Sequence, residues 1–262
     1  TLATDEMLVE MLAGQEIARL KAIDTYAADP GISNVADFAK NFPIRLNSEK
    51  EKIIALQPDL VLLADWKEKE FVQALRDAKI PVFVFKAANN FDELRTSIAL
   101  IASLVGIPAQ GQAMQAKVDA RLKAVADRLK NLPADKRLTV LSYTFYGSTY
   151  AKGTNFDALC EKAGLVNVAT KAGMSGWPQV SKEKIIELDP DMITMPSWSY
   201  DGKKDPVKFT ADFINDPIFA GLKSVRNKRV IVMQDRHMAP TSQYMVDGVE
   251  DLARAAYPEL FK

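Results

Sequence analysis

Apolar residues along this chain fall into two kinds of block. Short continuous runs at residues 60–63, 80–85, 137–141 and 229–233 read as strands buried on both faces, and residues 19–23 read as a shorter strand of the same type. Between them lie longer stretches in which apolar residues recur every three or four positions, the spacing of amphipathic helices. These predict helices over 68–78, 92–105, 156–163 and 242–256, the last ending at Tyr257-Pro258. Residues 1–3 read as the tail of a strand running into a helix, with Thr4, Asp5 and Glu6 as its start and Met7, Leu8, Met11 and Leu12 as its apolar face. Strands alternating with helices imply an α/β fold with parallel sheets.

One stretch differs from the rest. After the break at Gly106-Ile107-Pro108, residues 109–132 carry a single narrow stripe of Met114, Val118, Leu122, Val125, Leu129 and Leu132 on an otherwise polar helix. About 22 residues at 1.5 Å each give roughly 33 Å. A helix of that length is expected to join two lobes, and as a hinge it would permit only modest opening and closing.

The two-lobe expectation rests on an internal repeat. Residues 51–66 read EKIIALQPDLVLLADW and residues 183–198 read EKIIELDPDMITMPSW, identical at eight of sixteen positions and 132 residues apart. Each copy predicts a short helix, a Pro-Asp break, an apolar strand and a tryptophan at the strand end. Ser48 with Glu51 three residues on has the form of a capping box for the first of these helices. The expected organisation is a lobe over 1–105, a connecting helix over 106–132 and a second lobe over 133–262.

Composition narrows the functional classes. Lys plus Arg equals Asp plus Glu at 34 each, so no net field favours nucleic acid or an anionic membrane. No apolar run reaches the ~18 residues of a membrane span. The opening at Thr1 reads as interior to a longer chain, with an export signal upstream. The one cysteine, Cys160, sits in a helical pattern with Phe156, Leu159 and Ala163 and reads as a buried apolar residue. A single cysteine excludes an intrachain disulfide and cysteine-built metal clusters. A single histidine, His237, leaves little for a catalytic triad or a two-His metal site, and no Gly-rich phosphate loop is present.

Candidate binding residues are more plentiful. In open α/β sheets ligands sit outside the carboxyl ends of the strands. The loops leaving those ends hold Tyr26, Trp66, Phe145, Tyr146, Tyr150, Trp198 and Tyr200, and Gly176-Trp177-Pro178 supplies the third tryptophan. Aromatic side chains so placed suit a large, flat or greasy ligand. Arg45 and Arg236 are the cations placed to meet anionic groups of such a ligand. His237, after the last strand, could ligate iron, hydrogen-bond a ligand or cap a helix.

The opening run LATDEML, the segment EKIIALQPDLV, Val180-Ser181-Lys182-Glu183 leading to Asp189-Pro190-Asp191, and the long central helix together resemble the class III substrate-binding proteins of ABC importers. The resemblance covers nearly the whole chain. It implies two Rossmann-like lobes joined by one long α-helix with a ligand cleft between them, and a monomer outside the cytoplasm, periplasmic or membrane-anchored. Members carry ferric siderophores, corrinoids such as cobalamin, or haem, in that order of expectation, so iron or cobalt would arrive with the ligand and no resident cofactor is implied. They dock on a permease dimer through one surface glutamate per lobe. Glu183 matches the second; the first falls at Lys69, leaving Glu70 or Glu68 to substitute. The run Trp177-Pro178-Gln179-Val180-Ser181 resembles cobalamin-binding members, and Tyr26, His237 and Met238 keep haem ligation open. The family's first strand has no counterpart in this sequence. The alternative from another class is a two-lobed chelatase or metallohydrolase using His237; a third is a sensor paralogue that no longer docks.

Overall fold

The computed structural model describes residues 1–262 and divides into two compact units. Unit 1 comprises Thr1–Lys117 with Thr241–Gln243, and unit 2 comprises Val118–Pro240 with Tyr244–Lys262.

Unit 1 opens with helix α1 (Leu2–Met11), capped by Thr1, so residues 2 and 3 are helical and not the tail of a strand. Asp5 and Glu6 also depart from expectation. They are buried inside the unit instead of decorating a helix start. Four strands follow: β1 (Ile23–Asp24) pairs in parallel with β2 (Arg45–Leu46), and β3 (Val61–Ala64) pairs in parallel with β4 (Val82–Phe85). Residues 19–23 are not a strand. A 3-10 turn covers Gly14–Arg19, where the Arg19 guanidinium donates to the Val105 carbonyl, and pairing begins only where Ile23 N–H reaches Ile44 O at 3.1 Å.

The repeat helix α2 (Lys50–Ala55) is capped at Glu49 without a side-chain bond, which corrects the Ser48–Glu51 capping box. Ser48 is diverted: Lys67 Nζ donates to its hydroxyl at 3.1 Å and to Asn47 Oδ1 at 2.9 Å. Helix α3 (Lys69–Asp77) places Phe71, Val72 and Leu75 against Leu63 and Ile80, one apolar cluster. Helix α4 (Phe91–Leu104) is capped by Asn90, whose side chain accepts from Asp92 and Glu93 N–H, and buries Leu94, Ile98 and Ile101.

Helix α5 (Pro108–Leu129) is continuous for 22 residues, as its stripe implies. Its first three turns belong to unit 1 and the remainder to unit 2. Within unit 1 it packs closely on α4: a Cβ on Gly111 would stand 2.5 Å from that of Ala102. Within unit 2 Arg121 donates to Asp247 at 2.6 Å and Glu250 at 2.8 Å of the closing helix.

Unit 2 has a four-stranded parallel sheet ordered β6-β5-β7-β8, from β5 (Thr139–Ser142), β6 (Val166–Asn167), β7 (Met192–Pro196) and β8 (Val230–Met233). Its helices include α6 (Asn155–Lys162), capped by Thr154, α7 (Lys182–Leu188), capped by Ser181, and α8 (Pro206–Asn215), capped by Asp205. A short α9 (Asp235–Met238) and the closing α10 (Met245–Ala256) complete it. Buried Leu141, Ile185, Ile193, Met195, Phe213 and Phe219 form its core. Cys160 is buried on α6, and the apolar surroundings push its thiol well above the usual pKa.

The repeat is visible in detail. Gln57 and Asp189 both turn left-handed, with φ of +46° and +36°, just before Pro58 and Pro190. The registers Val61↔Val82 and Ile193↔Val230 also match. One neighbour differs. In unit 2 strand β5 lies between β6 and β7, and its Thr139 gives both N–H (2.9 Å) and hydroxyl (2.7 Å) to Asp191. In unit 1 the pairs β1-β2 and β3-β4 are separate two-stranded sheets, and a cavity of about 510 Å³ is lined by Thr1, Leu8, Ile23, residues 60–63 and Asp59, the counterpart of Asp191.

Candidate functional site

The strand-end loops of unit 2 hold most of the residues singled out by sequence. After β5 the chain turns at Thr144–Gly147, where Gly147 N–H reaches Thr144 O at 3.1 Å and Gly147 adopts φ +70°. Tyr146 occupies the tip of this turn and is 64% exposed. The following segment hydrogen-bonds to the Trp177 loop: Thr149 N–H to Pro178 O (3.0 Å), Ala151 N–H to Gly176 O (2.9 Å) and Val180 N–H to Gly147 O (2.8 Å). Trp177 is therefore held by its backbone while its indole remains 63% exposed. Phe145 and Tyr150 face inward: Phe145 packs on Phe209 of α8 at 4.8 Å between ring centres, and Tyr150 on Phe156 at 5.9 Å. Burial raises the Tyr150 phenol pKa.

Trp198 and Tyr200 leave the end of β7 and meet edge to face, with centroids 6.2 Å apart and planes at 87°. The loop is anchored by Asp235, the first residue of α9. Its Oδ2 accepts from Ser197 N–H at 2.6 Å, Trp198 N–H at 2.9 Å and the Ser197 hydroxyl at 3.2 Å. Burial raises the Asp235 carboxyl pKa, and these hydrogen bonds oppose that rise. Sequence reading had no signal for Asp235, because its role depends on β7 and β8 lying side by side.

Arg236 and His237 follow on α9. Arg236 Nε donates to Gln234 Oε1 at 2.8 Å. His237 is turned to the closing helix, its Nδ1 2.6 Å from Asp251 Oδ2 and its side chain 18% exposed. No group of three or more His, Cys, Asp or Glu side chains stands together to hold a metal ion.

Three candidates belong to unit 1. Tyr26 follows β1 in a 3-10 turn whose Asp24 side chain accepts the Tyr26 N–H at 3.0 Å. Arg45 is exposed, and its guanidinium donates to the carbonyls of Ala39 (3.0 Å) and Lys40 (2.8 Å). Trp66 ends β3 and is 60% exposed. On the outer helices, Glu183 is exposed in the first turn of α7. Hydrogen bonds from its own N–H and from the Ser181 hydroxyl hold its carboxyl below the usual range. Glu70 is likewise exposed in the first turn of α3, with Glu68 as that helix's cap residue.

Helix α5 runs from one parallel α/β unit into the other, and exposed aromatic side chains stand at strand ends of both. The chain belongs to the periplasmic binding protein family, whose model matches residues 18–237. It is a class III substrate-binding protein of ABC importers. It is 29% identical over 258 residues to the molybdate-binding protein MolA of Haemophilus influenzae, covering 89% of this chain and 69% of that protein. A cobalamin-binding protein of Halobacterium salinarum is 34% identical over 146 residues, 55% of this chain and 39% of that one. Among solved structures, the apo periplasmic heme-binding protein RhuT from Roseiflexus sp. RS-1 superposes with a TM-score of 0.82 at 21% identity, covering 99% of this chain and 97% of that one. Relatives of this kind bind and deliver; they are not enzymes, which sets aside the chelatase or metallohydrolase reading of His237.

Proposed function

We propose that this protein captures a metal chelate outside the cytoplasm, a ferric siderophore or a corrinoid, and passes it to the permease dimer of its ABC importer. The observation that carries the reading is the character of the exposed large side chains. Every strongly exposed aromatic residue among them (Trp66, Tyr146, Trp177 and Tyr200) lies at a strand end or on the segment bonded to the loop after β5. Stacking and burial against such rings supply affinity for broad, partly apolar ligands. Arg45 and Arg236 orient an anionic ligand, and Trp198 completes the aromatic set. The metal belongs to the ligand, and the protein acts as a monomer. Glu183, with Glu70 on the other unit, meets the permease.

Tryptophan fluorescence titration tests the ligand class. Cyanocobalamin, hemin, ferric hydroxamate and catecholate siderophores, and molybdate are added to the intact protein. Saturable quenching at micromolar concentration by a siderophore or the corrinoid supports the proposal. Hemin alone would select the haem-binding alternative, and molybdate alone or no response would remove the chelate reading. For docking, Glu183→Arg should abolish transport in a reconstituted importer while leaving ligand affinity unchanged. Undiminished transport would point to a paralogue that does not dock.

A further inference from the structure

The repeat that relates the two units also relates their loop ties, and the carboxylates making those ties have changed places. Asp65 and Ser197 each precede the final tryptophan of the repeat. Ala87 and Asp235 each lie five residues beyond Val82 and Val230, which pair at matching places in the two registers. In unit 1 the carboxylate stands at the end of β3: Asp65 Oδ1 accepts the Ala87 N–H in one long bond of 3.4 Å. In unit 2 it stands beyond β8, and Asp235 Oδ2 gathers three donors from Ser197 and Trp198. The Ser197 hydroxyl in turn accepts the Asp235 N–H at 2.9 Å, closing a ring between the two loops.

That carboxylate sits on the first residue of α9, whose cap residue is Gln234. All its bonds go to the Trp198 loop. Beyond Trp198 the loop is tied further: Ser199 donates to Asp201 at 2.9 Å, and Lys203 N–H reaches Asp201 at 3.0 Å. In unit 1 the turn carrying Trp66 is closed by Lys67 N–H to Ala64 O at 3.1 Å, and Lys67 Nζ donates to Asn47 Oδ1 at 2.9 Å, but Asp65 and Trp66 are both exposed. Charge-assisted bonds in a half-buried setting fix a backbone far better than one long exposed bond.

We propose that Asp235 is a positioning residue of the binding site, holding the Trp198–Tyr200 pair in its binding arrangement before ligand arrives, whereas Trp66 is ordered only on binding. The ligand-affinity part rests on the proposed function. The positional part does not, and the test separates them. A site held ready spares the ligand the entropy of ordering the loop, so losing the tie weakens binding by about tenfold.

The test uses the full chain. With Trp198 as sole tryptophan (Trp66→Phe, Trp177→Phe) and no ligand present, acrylamide quenching and anisotropy decay are recorded for the parent, Asp235→Asn and Asp235→Ala. The expectation is at least a twofold rise in quenching and a faster anisotropy decay for Asp235→Ala at unchanged melting temperature. Asp235→Asn, which keeps an acceptor oxygen, should fall between. Equal quenching and anisotropy in all three would overturn the proposal. With Trp66 as sole tryptophan, the double exchange Asp65→Ser, Ala87→Asp copies the unit 2 tie and should slow Trp66 motion; no change there counts against the proposal even if Asp235→Ala fails to fold. In the three-tryptophan protein, whichever of cyanocobalamin, hemin or the ferric hydroxamate and catecholate siderophores binds should bind about tenfold more weakly to Asp235→Ala. If none of them binds any variant, the ligand reading fails while the anisotropy still decides the role of Asp235.

Discussion

Replacing Glu6 by Gln should stabilise the protein at pH 8 and do far less at pH 5. Glu6 is 1% exposed. Its Oε1 accepts from the N–H and side-chain amide of Asn34 at 2.9 and 3.0 Å, and its Oε2 lies 2.5 Å from the Ser242 hydroxyl. No cation pairs with it. Burial dominates these bonds and raises its pKa from 4.5 to about 7. A folded-state pKa raised above the unfolded value gives stability that is fully present below pH 4.5 and lost as pH rises through 7. A displacement of about 2.5 units at 1.36 kcal/mol each amounts to about 3 kcal/mol by pH 8, of which under about 1 kcal/mol is already lost at pH 5. Gln keeps the shape and the bonds: its oxygen accepts from Asn34 and its NH2 donates to Ser242. Urea unfolding of both proteins followed by circular dichroism at the two pH values measures the difference. The gain from Glu6→Gln should grow by about 2 kcal/mol from pH 5 to pH 8. Asp5, buried beside it with a pKa raised to about 6, acts in the same direction, and its charge contributes to the rise at Glu6. An equal effect at both pH values would refute the reasoning.

Two further outcomes follow from packing and pairing. Gly111→Ala drives a methyl to 2.5 Å from the Ala102 Cβ and should cost about 1–3 kcal/mol in thermal unfolding, despite the better helix propensity of Ala. Tyr257→Phe removes the hydroxyl that accepts from Leu138 N–H and donates to Gly164 O, both at 2.9 Å. It should cost about 1–3 kcal/mol, with faster hydrogen exchange at Leu138.

Much of the fold was legible because it is written in local pattern. The stripe from Met114 to Leu132 located the long helix, which starts one residue before and ends three residues short of the expected 109–132, and the apolar runs located β3, β4, β5 and β8 within one or two positions. Where reading failed, a distant group had decided the outcome. Ser48 has the chemistry of a helix cap, yet Lys67, nineteen residues on, takes its hydroxyl and leaves Glu49 at the cap position. In the second copy Ser181 stands where Glu49 does and caps α7 through Lys184 N–H at 3.2 Å. Asp5 and Glu6 read as surface residues because acids favour the start of a helix. Only the folding of Asp24, Asn34 and Ser242 around them makes their burial tolerable. At the candidate site, exposure sorted the aromatics in a way composition could not. Tyr146 and Trp177 face solvent while Phe145, beside Tyr146 in the same turn, closes on Phe209.

The two copies of the repeat show which features the backbone keeps and which the side chains are free to change. The left-handed residue before each Pro-Asp and the strand registers are the same in both units, and each is a backbone requirement that no single side chain supplies. The polar anchors are not the same. Asp235 takes three donors, whereas Asp65 takes one. A carboxylate can serve a tie between adjacent strand ends from either strand, so that tie can move while the sheet stays as it is. Its strength depends on how many N–H groups converge and how dry they are. The rings carried by the two loops therefore inherit different freedom from one fold.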